Sequence, residues 1–249
     1  QALRAEVSTW SPIPSNLGQV IDVNGDVVPE VVIDTSDPYV LSQSHGVRYI
    51  RFQVLHWDGS EFVEVQLSPL PASAQAEAGA LNDRAVELAQ AGLWLDAQAS
   101  IDQALTLAPQ EPIVIWNAAL IGMHAQSNRE QVRTSPYSLL TNLFLGDYAA
   151  VLDVMRPHSP EELFSPVSPL LRDTDAFSWE AELNYWITLN VSQALEARPD
   201  LATAYFLRGW ATYLVEPGSP EVLADIKRAA TLRPDELLFS QSLAYLTGG

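Results

Sequence analysis

Cysteine is absent from the 249 residues. Disulfides, thiolate catalysis and cysteine-ligated zinc are therefore excluded. Lysine occurs once, at Lys227, and 13 basic residues stand against 31 acidic ones for a net charge of −18. Nucleic-acid binding and attraction to an anionic membrane both require basic surface, so neither is expected. No apolar run reaches the length of about 18 residues that marks a transmembrane helix, so membrane insertion is not expected either. Histidine is scarce: His45, His56, His124 and His158 are the whole set, and none sits in a zinc-protease pattern. A nucleophile elbow, a phosphate loop with lysine and a dinucleotide fingerprint are all missing. The expected class is not an enzyme. A carboxylate-pair hydrolase is a third option, but Asp173 and Asp175 are equally well explained as solvated loop residues. Apolar residues make up 47% of the chain, enough to build a core.

Among what is present, DVNGDVVPEVVI, residues 22–33, carries the sharpest chemical pattern. Asp22, Asn24, Asp26 and Glu30 place side-chain oxygens at a spacing that suits a small loop around a hard cation. The Val28 carbonyl is placed to add another oxygen. Val27 stands where a tight loop favours glycine, because a β-branched residue resists positive φ. The alternative is a plain Asp/Asn/Gly turn that launches the strand Val31-Val32-Ile33.

The chain divides by period. Residues 1–70 read as a small β unit, and residues 74–249 as a helical domain. VRYIRFQVLHW, residues 47–57, alternates as a strand, with Ile50, Phe52 and Val54 on its core face. Asp58-Gly59-Ser60 predicts a tight turn, and residues 61–67 the return strand. A sheet this small needs a partner to pack on. From Ala74 the period becomes helical. Prolines cut the helical region into short pieces, and residues 158–175 read as a long loop. Leu81, Ala85 and Leu88 form one stripe and Ala97, Ile101 and Ala104 a second, with Gly92 between them and Pro109 at the end. Tyr205, Gly209, Ile226, Ala229 and Pro234 repeat the arrangement. Small residues recurring at helix contacts predict stacked helix pairs.

These two stripes resemble tetratricopeptide (TPR) repeats, most specifically in the first and last units. Ala194 and Pro199 resemble the end of an intermediate unit, and Gly146-Asp147-Tyr148 the family's inter-helix turn. Residues 112–125 resemble a first helix without a recognisable second. The resemblance covers roughly residues 75–249 and implies protein–protein interaction through a concave groove lined by first helices. The N-terminal stretch is similar to the calcium loop and strand of FG-GAP-type propeller repeats. That likeness implies weak Ca²⁺ binding at Asp22, Asn24, Asp26 and Glu30, although one repeat cannot close a propeller.

On the groove, Trp116, Leu120 and Met123 keep the same rhythm as Phe206, Trp210 and Tyr213. Exposed, such residues would grip a protein or peptide partner. Alternatively they bury against neighbouring helices or the sheet. A basic clamp for a partner's carboxylate has only Arg84 and Arg208 as candidates. The expected architecture is α+β, a small antiparallel sheet followed by a short TPR-like helical array. The expected function is a non-catalytic interaction or scaffold protein of an exported assembly, with a calcium- or ligand-binding accessory module (a solute or glycan binder) as the alternative. The chain opens on Gln rather than Met, which fits a trimmed exported protein and equally a start chosen within a longer sequence. An extracytoplasmic location is the expectation and a cytoplasmic one the alternative.

Overall fold

The computed structural model describes residues 18–40, 46–71, 75–135, 138–165, 168–172 and 180–248. It has the α+β organisation expected. Four antiparallel strands form the main sheet in the order β1 (Gln19–Ile21), β2 (Glu30–Asp34), β5 (Phe52–Trp57), β6 (Phe62–Glu64). A separate two-stranded sheet pairs β3 (Asp37–Val40) with β4 (Gly46–Tyr49). The run 47–57, expected as one strand, is therefore two strands in two sheets. The break falls at Ile50-Arg51, where the Arg51 carbonyl accepts the Thr35 N–H at 3.0 Å and the Arg51 N–H reaches the Ser36 hydroxyl at 3.0 Å. These cross-links hold the chain between the two sheets. The β5–β6 turn is as expected. Asp58 accepts from Ser60 and Glu61 N–H, and Gly59 takes φ 105°, which a side chain would resist. Its return strand is shorter than expected.

Ten helices follow among the described residues: α1 (Ala76–Gln90), α2 (Trp94–Leu107), α3 (Pro112–Thr134), α4 (Ser138–Phe144), α5 (Tyr148–Met155), α6 (Pro160–Leu163), α7 (Glu180–Ala197), α8 (Ala202–Val215), α9 (Pro220–Leu232) and α10 (Leu237–Thr247). Prolines begin α3, α6 and α9, where a missing N–H is harmless, whereas Pro109, Pro199 and Pro234 lie in the turns after helix ends. The α6 turn occupies part of the stretch read as loop. Ser159 and Glu162 form a reciprocal capping box that starts it. Residues 173–179, with Asp173, Asp175 and Trp179, lie outside the described residues.

The small-residue stripes are buried as expected. Ala85, Leu88, Ala97, Ile101 and Ala104 join α1 to α2, and Ile226 and Ala229 of α9 pack on α8. A Cβ on Gly209 would stand only 3.1 Å from Ile226, so glycine sets the α8–α9 approach. Gly92 and Gly146 both turn with φ near +75° to +78°, and a Cβ on Gly146 would lie 2.9 Å from the Gly92 carbonyl. Two inter-helix turns thus pack directly on one another.

Sheet and helices share contacts. Val47 of β4 belongs to the helical core, while Val32 and Val54 of the main sheet bury Leu120 of α3. The Gln131 side chain bonds both the N–H (2.7 Å) and the carbonyl (3.0 Å) of Arg48, standing in for an adjacent strand. The segment leaving the sheet is held by a buried amide cluster. Asn117 accepts from the Ser68 N–H at 3.0 Å and donates to the Ser68 carbonyl at 2.7 Å and to Asn82 Oδ1 at 2.7 Å. Among the described residues, no helix is long and apolar enough to cross a membrane.

Candidate functional site

The loop between β1 and β2 is built by its own side chains. Asp22 accepts from the Gly25 N–H (2.7 Å) and the Val27 N–H (2.9 Å). Asn24 accepts from the Asp26 N–H at 2.9 Å, and Asp26 from the Val28 N–H at 2.7 Å. Short polar side chains bonding backbone a few residues on are the local reason this segment turns. Two residues take positive φ, Gly25 at 81° and Val27 at 74°. The loop thus makes Val27 adopt the conformation its branched side chain resists; that side chain is 86% exposed, and the bond from the Val27 N–H to Asp22 holds the backbone there.

Glu30 opens β2 and faces inward. Its carboxylate is fully buried, accepting the Val23 N–H at Oε2 (2.9 Å) and lying 3.1 Å from His56 Nδ1 at Oε1. His56 is on β5. The Val31–Leu55 pairing sets Glu30 beside His56, and the period of two puts both on the face that carries Val32 and Val54. Trp116 of α3 meets the His56 ring edge-on, with centroids 5.2 Å apart. Asp26 completes the group: one ligand atom each from Asp26, Glu30 and His56 lies within 4.8 Å of the others. The Asn24 amide donates to Asp26 at 2.9 Å. That bond and then the Val28 N–H hold the Asp26 carboxyl below its ordinary range, so it is charged at neutral pH.

This group differs from the expected one. Asp26 and Glu30 converge, but Asp22 is not part of the cluster, and Asp22 and Asn24 spend their oxygens on backbone N–H groups. Val28 contributes its N–H to Asp26. His56, a half-buried residue of β5, is the third member. The signal for it was the alternation that places His56 on the face of Val54, and it acquires meaning only once β2 is paired with β5. Each potential ligand has an outer partner that orients it, Asn24 for Asp26, Val23 for Glu30 and Trp116 for His56, as ligating groups generally require. A buried carboxylate beside a second carboxylate, with only an imidazole in this cluster able to carry positive charge, also favours a cation.

No protein-family model matches the chain, and no curated protein and no solved structure matches it either.

The exposed aromatic groove does not form. Phe206 and Trp210 are completely buried, and Trp210 Nε1 donates to the Leu163 carbonyl at 3.1 Å. Phe206 stacks on Phe239 of α10 at 4.8 Å, and Tyr213 is partly buried, edge-on to Phe164 at 5.1 Å. Helices α6 and α10 cover the face that α8 alone presents. Leu120 is buried and Trp116 and Met123 half-buried because the main sheet lies on α3. Nor are the two candidate clamp arginines free. Arg208 grips Asp225 through two bonds of 2.7 Å, and Arg84 bonds Glu87 and the Ala197 carbonyl. Their roles are to join α8 to α9 and α1 to the end of α7.

Proposed function

We propose that the chain is a non-catalytic binding module whose β1–β2 loop and β5 strand hold one divalent cation on Asp26, Glu30 and His56, with the helical array as its support. The single observation that carries this reading is the convergence of three ligand-type side chains from two segments of the sheet, 4.8 Å or less apart. Two carboxylates and an imidazole make a mixed oxygen–nitrogen set. Calcium takes oxygen ligands, whereas zinc and similar transition ions accept imidazole readily. The proposed ion is therefore of the zinc type rather than calcium, and its role is to tie the strained loop to β5. The acidic surface of the chain suits cation capture.

The test is titration calorimetry with zinc, calcium and magnesium on the wild type, His56→Ala and Asp26→Asn. One saturable zinc site, weakened about tenfold or more in both variants, supports the reading. Saturable calcium binding that survives His56→Ala would return the site to the all-oxygen loop of residues 22–30. It would also favour an extracytoplasmic setting, where weak calcium loops fill. Equal, unsaturating heats in all three proteins would leave the loop as a turn alone.

A protein or peptide partner on the helical array is the second reading. Tyr185 and Leu189, one turn apart on α7, favour it, since they stand 72% and 49% exposed.

A further inference from the structure

We propose that the cleft between the main sheet and the C-terminal half of α3 binds a single-chain amphiphile with an anionic head, the class of a medium-chain alkyl carboxylate. The cleft encloses about 580 Å³, within the range of small-molecule sites. It draws on none of Asp26, Glu30 and His56.

Its two ends differ in chemistry. At one end Val32, Phe52 and Met123 belong to or pack against the apolar cluster under the sheet. At the other, about 15 Å further along α3, the helix wall is polar and Gln131 holds the Arg48 backbone; the Arg48 side chain reaches back to Asp34, which stands across from Phe52 in the sheet, and pairs with it at 2.7 Å. Arg133 lines this same end and is exposed at the last turn of α3. Among the described residues it has no carboxylate partner, while Glu130 beside it is bonded to Gln126 at 2.8 Å. Among the described residues the cleft thus offers one uncommitted cation, in a chain of net charge −18. An elongated slot that is apolar at one end and ends at an unpaired guanidinium is complementary to an alkyl chain with one carboxylate, which guanidinium accepts in a planar, two-point contact. A cationic or doubly charged head would meet Asp34 and Glu130 without a second free arginine.

Titration calorimetry with octanoate, decanoate, decan-1-ol and decyltrimethylammonium tests this. Decanoate should saturate at one per chain, and octanoate should bind about tenfold more weakly, since each methylene buried counts. Arg133→Ala should weaken decanoate by about tenfold and leave decan-1-ol unchanged. Met123→Trp, which fills the apolar end, should abolish binding of both. If that variant unfolds in a thermal melt, Arg133→Ala decides alone, because Arg133 is exposed and its truncation leaves the buried core untouched. Absence of saturable decanoate binding, equal affinity for decan-1-ol, tighter binding of decyltrimethylammonium, or an Arg133→Ala variant indistinguishable from wild type would each overturn the proposal.

Discussion

Acidification should weaken this protein through one buried imidazole. His124 of α3 lies flat on Trp94, with ring centroids 3.8 Å apart, and edge-on to Phe52 at 5.2 Å. Its Nδ1 is buried without a hydrogen-bond partner. Burial pushes its pKa down from 6.5 to about 4, because the charged ring would lose its water. Between those two values the unfolded chain binds a proton that the folded chain refuses. Stability is therefore full above pH 6.5 and falls as the pH drops towards 4. At about 1.4 kcal/mol per pH unit, the loss from this residue reaches about 3 kcal/mol. Arg51 and Glu64 line the open groove beside the ring, and the carboxyls of Asp26, Asp34, Asp58, Glu162 and Glu221, all held low, lose their own contributions only as the pH falls through the carboxylate range. All of these are shared with a His124→Phe variant, which keeps the stack and removes the titration. Urea unfolding at pH 7, 5.5 and 4.5 should show the variant equal to or above wild type at pH 7, with a gap that widens on acidification. Parallel loss in the two proteins would refute the reasoning.

Two further perturbations test the packing. Trp210→Ala removes a fully buried indole and the bond to Leu163, so it should destabilise the fold by about 3–5 kcal/mol in chemical denaturation; a loss under 1 kcal/mol would mean that the indole is not in the core. Val27→Gly relieves a side chain held at φ 74° and should raise stability by about 1 kcal/mol in the same assay; a drop instead would show that the loop does not hold that conformation in solution.

Local patterns in the chain determined much of the fold. The β-branched run at residues 31–33 made β2, and the stripes of small residues with Gly92 between them made the α1–α2 hairpin. The Asp/Asn spacing in residues 22–26 closed its own turns, because those hydrogen bonds reach only two to five residues along the chain. The charge balance likewise belongs to composition. What composition and period left open was which face of each helix meets a neighbour. The stripe Phe206–Trp210–Tyr213 reads alike whether solvent or α6 and α10 lie over it, and only the packed structure chose burial. The two-sheet split of residues 47–57 depends on bonds between Arg51 and residues 35–36, which no alternation reveals. The same holds for Glu30 and His56. They are 26 positions apart, and an antiparallel register set by the burial of Val32 and Val54 brings them within bonding distance, since slipping β5 by one residue against β2 would turn His56 to the face opposite Glu30.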